Sequence, residues 1–291
     1  MEWFALAFTS ALLSAGSSLC EKKVLFKLSA LEFSFVVSVL ILIFTIPFFF
    51  FIDYSTISFQ SMWILYLKTL LNSFAFLFVM LVLKNLEISE ALPLMILTPA
   101  FVAIFAFIII GDELSSKEVG GIALFIIGTY LLENAGKKKL VYPFKVLIKS
   151  KSHFYVLIAL LLFTATSIMD RFLVTDLKLS VNTFMGFQHI FYAINFLILY
   201  LIKERKLSVE KNILNNSLFL WIILIAILTV GYRYTQILAV TLAPVALIIA
   251  VKRISVFFSA IAGGKIFNER NLLQKSIATA IMIAGAILLL K

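Results

Sequence analysis

Two adjacent cations, Lys252 and Arg253, interrupt the apolar run that begins at Pro244. A bilayer-spanning helix needs about 20 mostly apolar residues, and this run supplies them around the pair. A charge at such depth costs about 3 kcal/mol or more and ordinarily faces a cavity, a partner or a substrate. The chemistry open to Lys beside Arg is anion binding. Both donate charge-assisted hydrogen bonds, and the planar fork of arginine holds two oxygens of a carboxylate or phosphate at once. Successive helical residues point about 100° apart. Lys252 therefore shares a face with Ser255, Ser259 and Gly263, a stripe suited to a cavity or a close helix contact. Arg253 shares its face with Ile249 and Phe257 and stands at the edge of that stripe. The competing reading, that the pair snorkels toward headgroups, is weakened by its central depth.

Further polar groups recur inside other apolar runs. Arg233 lies in the tract Tyr232-Arg233-Tyr234-Thr235-Gln236, where Gln236 is one turn on and the tyrosines are placed to stack on a ligand or to form an interfacial belt. Gln188, Tyr192 and Asn195 make one polar edge of another run, and His189 beside them is either a proton-exchanging group or a helix-to-helix hydrogen-bonding one. Asn72 lies four residues beyond Lys68, which sits nearer the start of its run and is expected to snorkel. The carboxylates Glu32, Asp53, Glu87, Glu90, Glu113, Asp170 and Glu269 all fall near the ends of runs, none at mid-span. The expected buried charge is thus positive, which favours an anionic or carboxylate-bearing substrate over a cation. Pro93, Pro99 and Pro244 are placed to bend or open helices, although Pro244 equally suits a helix start. Glu113 and Glu269 are expected in gating or structural roles, and Ser115 with Glu118 fits a capping box.

These residues need helices in a membrane to position them. Of 291 residues 63% are hydrophobic and 14% charged, and the mean hydropathy is +1.10, far from soluble composition. Ten apolar runs can be drawn, at approximately 3–20, 31–52, 62–83, 88–110, 117–133, 153–169, 181–202, 217–239, 242–264 and 272–290. Their lack of strict alternation points to helices rather than a barrel. The net charge of +10 resides mostly in short connections, where it meets headgroups, so nucleic acid is not an expected partner. One cysteine, Cys20, allows no internal disulfide, and two histidines without clustered Cys or Asp suggest neither a metal nor another cofactor. Lys and Arg concentrate after odd-numbered runs, which by the positive-inside rule places both termini outside the cytoplasm.

The halves of the chain echo each other. Ser18-Leu19-Cys20-Glu21-Lys22 closes the first run, and Ser167-Ile168-Met169-Asp170-Arg171 closes the sixth in the same small, apolar, apolar, acidic, basic order. Glu113 follows the fourth run as Glu269 follows the ninth, and Gly121–Leu132 is similar to Ala278–Leu289. Five being odd, the second half must enter the membrane inverted. The expected fold is an all-α integral membrane protein of ten transmembrane helices in two inverted five-helix repeats, 1–135 and 153–291, joined by a basic linker at 136–152.

This two-fold pattern, with GDELS at 111–115 and FNERN at 267–271 each followed by a short glycine-bearing helix, resembles the EamA-type branch of the drug/metabolite transporter superfamily. The resemblance covers essentially the whole chain. It implies a carrier in the cell membrane with a central cavity that moves a small metabolite by alternating access, and it leaves the substrate open. It also implies termini on the cytoplasmic side, against the charge count. The Lys252-Arg253 pair is similar to the phosphate-binding Lys-Arg of the sugar-phosphate translocator branch. Candidate substrate contacts are Lys252, Arg253, Arg233, Tyr232, Gln236, His189, Gln188, Tyr192 and Asn72. Alternatives are a carrier of amino acids, neutral metabolites or drugs with Lys252 and Arg253 structural or gating, or a non-transporting scaffold. An enzyme is not expected, because the chain has no GxSxG, HExxH or P-loop pattern. Monomer and homodimer both remain open.

Overall fold

The computed structural model describes residues 2–85, 98, 108–109, 111, 113, 115–133, 151–204, 217–266 and 272–288. Its helices are α1 (Glu2–Leu25), α2 (Ala30–Thr45), α3 (Phe59–Asn85), α4 (Ser116–Glu133), α5 (Lys151–Thr175), α6 (Val181–Glu204), α7 (Ser217–Val240), α8 (Val245–Lys252), α9 (Ile254–Ile266) and α10 (Leu272–Leu288). No strand occurs among the described residues. Among the described residues, seven helical stretches are long and apolar enough to cross a membrane, α8 and α9 counting as one. The predicted run 88–110, with Pro93 and Pro99, falls almost wholly outside the described residues, as do Glu269 and the linker up to residue 150. Lys151 and Ser152, assigned to the linker from sequence, belong to α5.

Helix starts follow local chemistry. Ser29 caps α2 by accepting from the backbone N–H of Glu32 at 3.2 Å, and Ser180 accepts from that of Thr183 at 3.3 Å where α6 begins. The predicted second run, 31–52, is not one α-helix. Pro47 lacks the N–H that an α-ladder requires, and the chain tightens into a 3₁₀ turn over Ile46–Phe51. Gly111 has φ +78, a left-handed conformation that glycine adopts without steric cost, just before α4.

Within the described helices, α1 packs along α7 and α3 along α5, while α2 meets α6 and α4 meets α10. At the α1–α7 seam Ser10 donates to the Tyr232 carbonyl at 2.8 Å and the Ser17 hydroxyl lies 3.5 Å from that of Thr229. A Cβ at Gly231 would lie 3.1 Å from Leu13, and one at Gly16 3.4 Å from Leu228. Without a hydrophobic drive between helices in lipid, such close approach is what holds them together.

Two basic residues tie helix ends in corresponding ways. Lys22 Nζ donates to the Leu83 carbonyl near the end of α3 at 2.5 Å, and Arg171 Nη1 donates to the Val240 carbonyl at the end of α7 at 2.8 Å. Helix α1 ends where α2 begins. At the far end of α2, Asp53 N–H donates to Thr183 Oγ1, beside the start of α6 and the end of α5. The C-terminal ends of α1 and α5 therefore lie at opposite ends of the helix bundle.

Candidate functional site

Between these helices lies a cavity of about 150 Å³, lined by Asp170, Gln188, Arg233, Lys252, Glu21 and serines of α1 among others. Asp170 from α5 pairs with two cations. Its Oδ1 is 2.7 Å from Lys68 Nζ of α3, and its Oδ2 accepts from Arg233 Nη2 of α7 at 3.3 Å. Lys68 is fully buried and Asp170 only 2% exposed, so three helices meet through charges withdrawn from water.

Gln188 of α6 completes this node. Its Oε1 accepts from Lys68 and, at 2.7 Å, from Arg233 Nη2, which fixes the amide orientation. Its Nε2 must then donate to His189 Nε2, 3.2 Å away. On the other side of that ring, Thr45 donates its hydroxyl proton to the Ile41 carbonyl at 2.6 Å and accepts from His189 Nδ1 at 3.0 Å. His189 is thereby held as the neutral Nδ1–H tautomer, since a proton on Nε2 would face another donor.

The network continues toward the lead pair. Gln236 Oε1 accepts from Arg233 Nη1 at 3.3 Å and from Lys252 Nζ at 2.5 Å. Lys252 also sits 4.5 Å above the Tyr232 ring, a cation–π contact. Arg253 donates to Thr98 Oγ1 at 2.9 Å. The predicted ninth span breaks at Arg253: its N–H is shared by the Ile249 and Ala250 carbonyls, and Val256 N–H takes the Arg253 carbonyl in a tighter turn. This break divides the expected serine stripe. Ser255 lines the cavity, whereas Ser259 donates to the Ala15 carbonyl at 3.4 Å.

The EamA-like transporter family model matches residues 1–133 and 150–291. The chain belongs to the EamA-like transporter family. A crystal structure of another protein covers 98% of this chain and 97% of its own at a TM-score of 0.76 and 16% identity, a likeness of fold alone. None of the curated proteins compared with the chain matches it. As an EamA-like protein it is a multi-pass integral membrane protein of a family of small-molecule transporters.

All nine residues expected to contact substrate line this one cavity of the EamA-like chain: Asn72, Gln188, His189, Tyr192, Tyr232, Arg233, Gln236, Lys252 and Arg253. Asn195 does not; its amide donates to Ser73 at 3.2 Å, joining α6 to α3. Pro244 marks the N-cap of α8, and Glu113 is exposed. Three expectations are overturned. Lys68 does not snorkel, because a buried carboxylate holds it inside. Asp170 stands in the last two turns of α5 yet is buried and lines the cavity, so the buried charge is not positive alone. Glu21, overlooked among the acids, also lines the cavity, since α1 continues to Leu25. The signal for both acids was present: matched acidic positions in two halves of one chain mark a place where the fold uses a charge twice.

Proposed function

We propose that this protein is a secondary transporter of the plasma membrane that binds a small anionic or carboxylate-bearing metabolite in the central cavity and moves it by alternating access. The chain would cross the membrane ten times in two inverted five-helix repeats, 1–135 and 153–291, joined by the linker at 136–152, with the run 88–110 as one crossing and α8 and α9 together as another. The pairing of α1 with α7 and α3 with α5 supports that arrangement, because exchanging the halves exchanges the pairs.

One observation carries the substrate reading. Four cations stand at or beside the cavity, and two of them, Lys68 and Arg233, share the carboxylate of Asp170. Lys252 and Arg253 have only neutral partners among the described residues, namely Gln236, Tyr232 and Thr98. Buried charge without a counter-ion is costly and is kept where a ligand supplies the missing sign. The side chains of Asn72, Tyr192 and Tyr232 then serve the rest of the molecule through hydrogen bonds and ring faces.

Thermal unfolding of the purified protein across phosphates, carboxylates, amines and neutral solutes tests this, because a ligand that binds only the folded state raises its stability. Shifts are expected with anions, about 2.7 kcal/mol at 100 times Kd, and their loss in the Lys252→Gln/Arg253→Gln double variant. Shifts confined to amines or neutral solutes would instead make the pair structural or gating.

A further inference from the structure

The two matched acids of the cavity differ in one respect that the substrate reading leaves unused. Asp170 is held by two cations, whereas Glu21 has none within ion-pair distance among the described residues. Glu21 is 5% exposed and lines the same cavity as Lys252 and Arg253. Its Oε1 accepts from the Ser17 hydroxyl at 2.8 Å, and that hydroxyl lies 3.5 Å from Thr229 of α7. Neither neighbour carries charge.

The titratable and charged groups sharing its cavity are Tyr232 and Arg233 of α7, Lys252 of α8, Arg253 at the break, Tyr192 and His189 of α6 and Asp170 of α5. Helices α2, α3 and α9 bring only Ile41, Asn72, Ser255 and apolar side chains to the cavity. On α1 itself the cations turn away: Lys22 to the Leu83 carbonyl, Lys23 to the face of Trp221 at 4.0 Å. Arg233 shares the Asp170 carboxylate with Lys68. Among the described residues lining the cavity, Lys252 and Arg253 are the cations with no carboxylate partner.

We infer that Glu21 is the site of a coupling proton, taken up as the substrate anion binds. In the empty cavity the field of Lys252 and Arg253 favours the ionised carboxylate. An anion seated on that pair weakens that field and brings further negative charge into the same small enclosure. A proton from water then adds to the Glu21 carboxylate, giving a neutral acid, so the anion and one proton enter the site together. Asp170 differs in its setting, since Lys68 and Arg233 both pair with it. The inference rests on the anion reading above and names its coupling ion.

Calorimetric titration of the full chain with acetate and with sulfate, neither of which titrates between pH 6 and 8, in buffers of different ionisation enthalpy measures protons taken up per anion bound. Uptake approaching one proton is expected for the native chain, and close to none for Glu21→Gln, which still binds. Glu21→Asp, which keeps the carboxylate, should retain uptake over a shifted pH range. Anion binding without proton uptake in the native chain, or uptake that persists in Glu21→Gln, overturns the inference alone. If neither probe binds, the cationic site falls and the inference with it. If Glu21→Gln fails to fold, uptake in Glu21→Asp at the same pH dependence as the native chain overturns it.

Discussion

Glu21 and Asp170 close their helices in the same sequence setting, each followed by a basic residue that caps a neighbouring helix, yet their surroundings are opposites. Around Asp170, helices α3, α5, α6 and α7 are joined by ions and by the Gln188 amide. Around Glu21, α1 lies against α7 through two glycines and a few hydroxyls. One end of the cavity is bolted by charge and the other is held by close packing. Charges bolted to each other are spent on structure. A charge left with neutral neighbours is free to answer a ligand or a proton, so the unbolted end is where coupling chemistry belongs.

The comparison makes its largest prediction at the bolted end. Asp170→Asn leaves Lys68 buried without its counter-ion, and breaking a buried pair in this way costs about 3–5 kcal/mol. Thermal unfolding should show that loss. Adding Lys68→Met to Asp170→Asn should recover much of it, since removing both charges also removes the desolvation cost. Glu21→Gln, by contrast, keeps a hydrogen bond with Ser17 and breaks no pair, so a change of only about 0.5 kcal/mol is expected. Equal losses at the two acids would erase the distinction drawn here.

A smaller effect probes the packed end. Gly231→Ala places a methyl 3.1 Å from Leu13 Cδ1, which must give way. Overpacking of this kind costs about 1–3 kcal/mol, and the lower figure is expected because the obstacle is a side-chain tip. Pairing it with Leu13→Ala should relieve part of the cost. No relief would mean that α1 and α7 are not set by this seam.

Much of this was legible in the sequence, for reasons that differ by residue. Lys252, Arg253 and Arg233 stood out because a cation in an apolar run has few explanations, and all three line the cavity. Lys68 was misread because its distance from the start of the run suggested an escape to the interface. Only the partner across the bundle, 102 positions later at Asp170 by residue number, reveals why it stays inside. The acids were misjudged because apolar runs stop at the first charge, whereas helices do not: α1 and α5 each carry an acid and a base in their last two turns. The break at Arg253 has neither proline nor glycine to announce it.

The smallest expected effect is the sharpest test of where protons go. His189 stands at the bolted end, next to Gln188, and is the side chain most readily suspected of carrying a proton near neutral pH. Its hydrogen bonds argue otherwise: Nδ1 donates to Thr45 and Nε2 accepts from Gln188, whose oxygen is committed to Lys68 and Arg233. A second ring proton would have to face the Gln188 amide N–H and reverse a whole chain of donors. His189→Gln should therefore leave the pH dependence of anion binding where it is in the native chain, while Glu21→Gln flattens it. If instead the profile follows His189 and ignores Glu21, the proton belongs to the charged end, and the division of labour between the two acids is reversed.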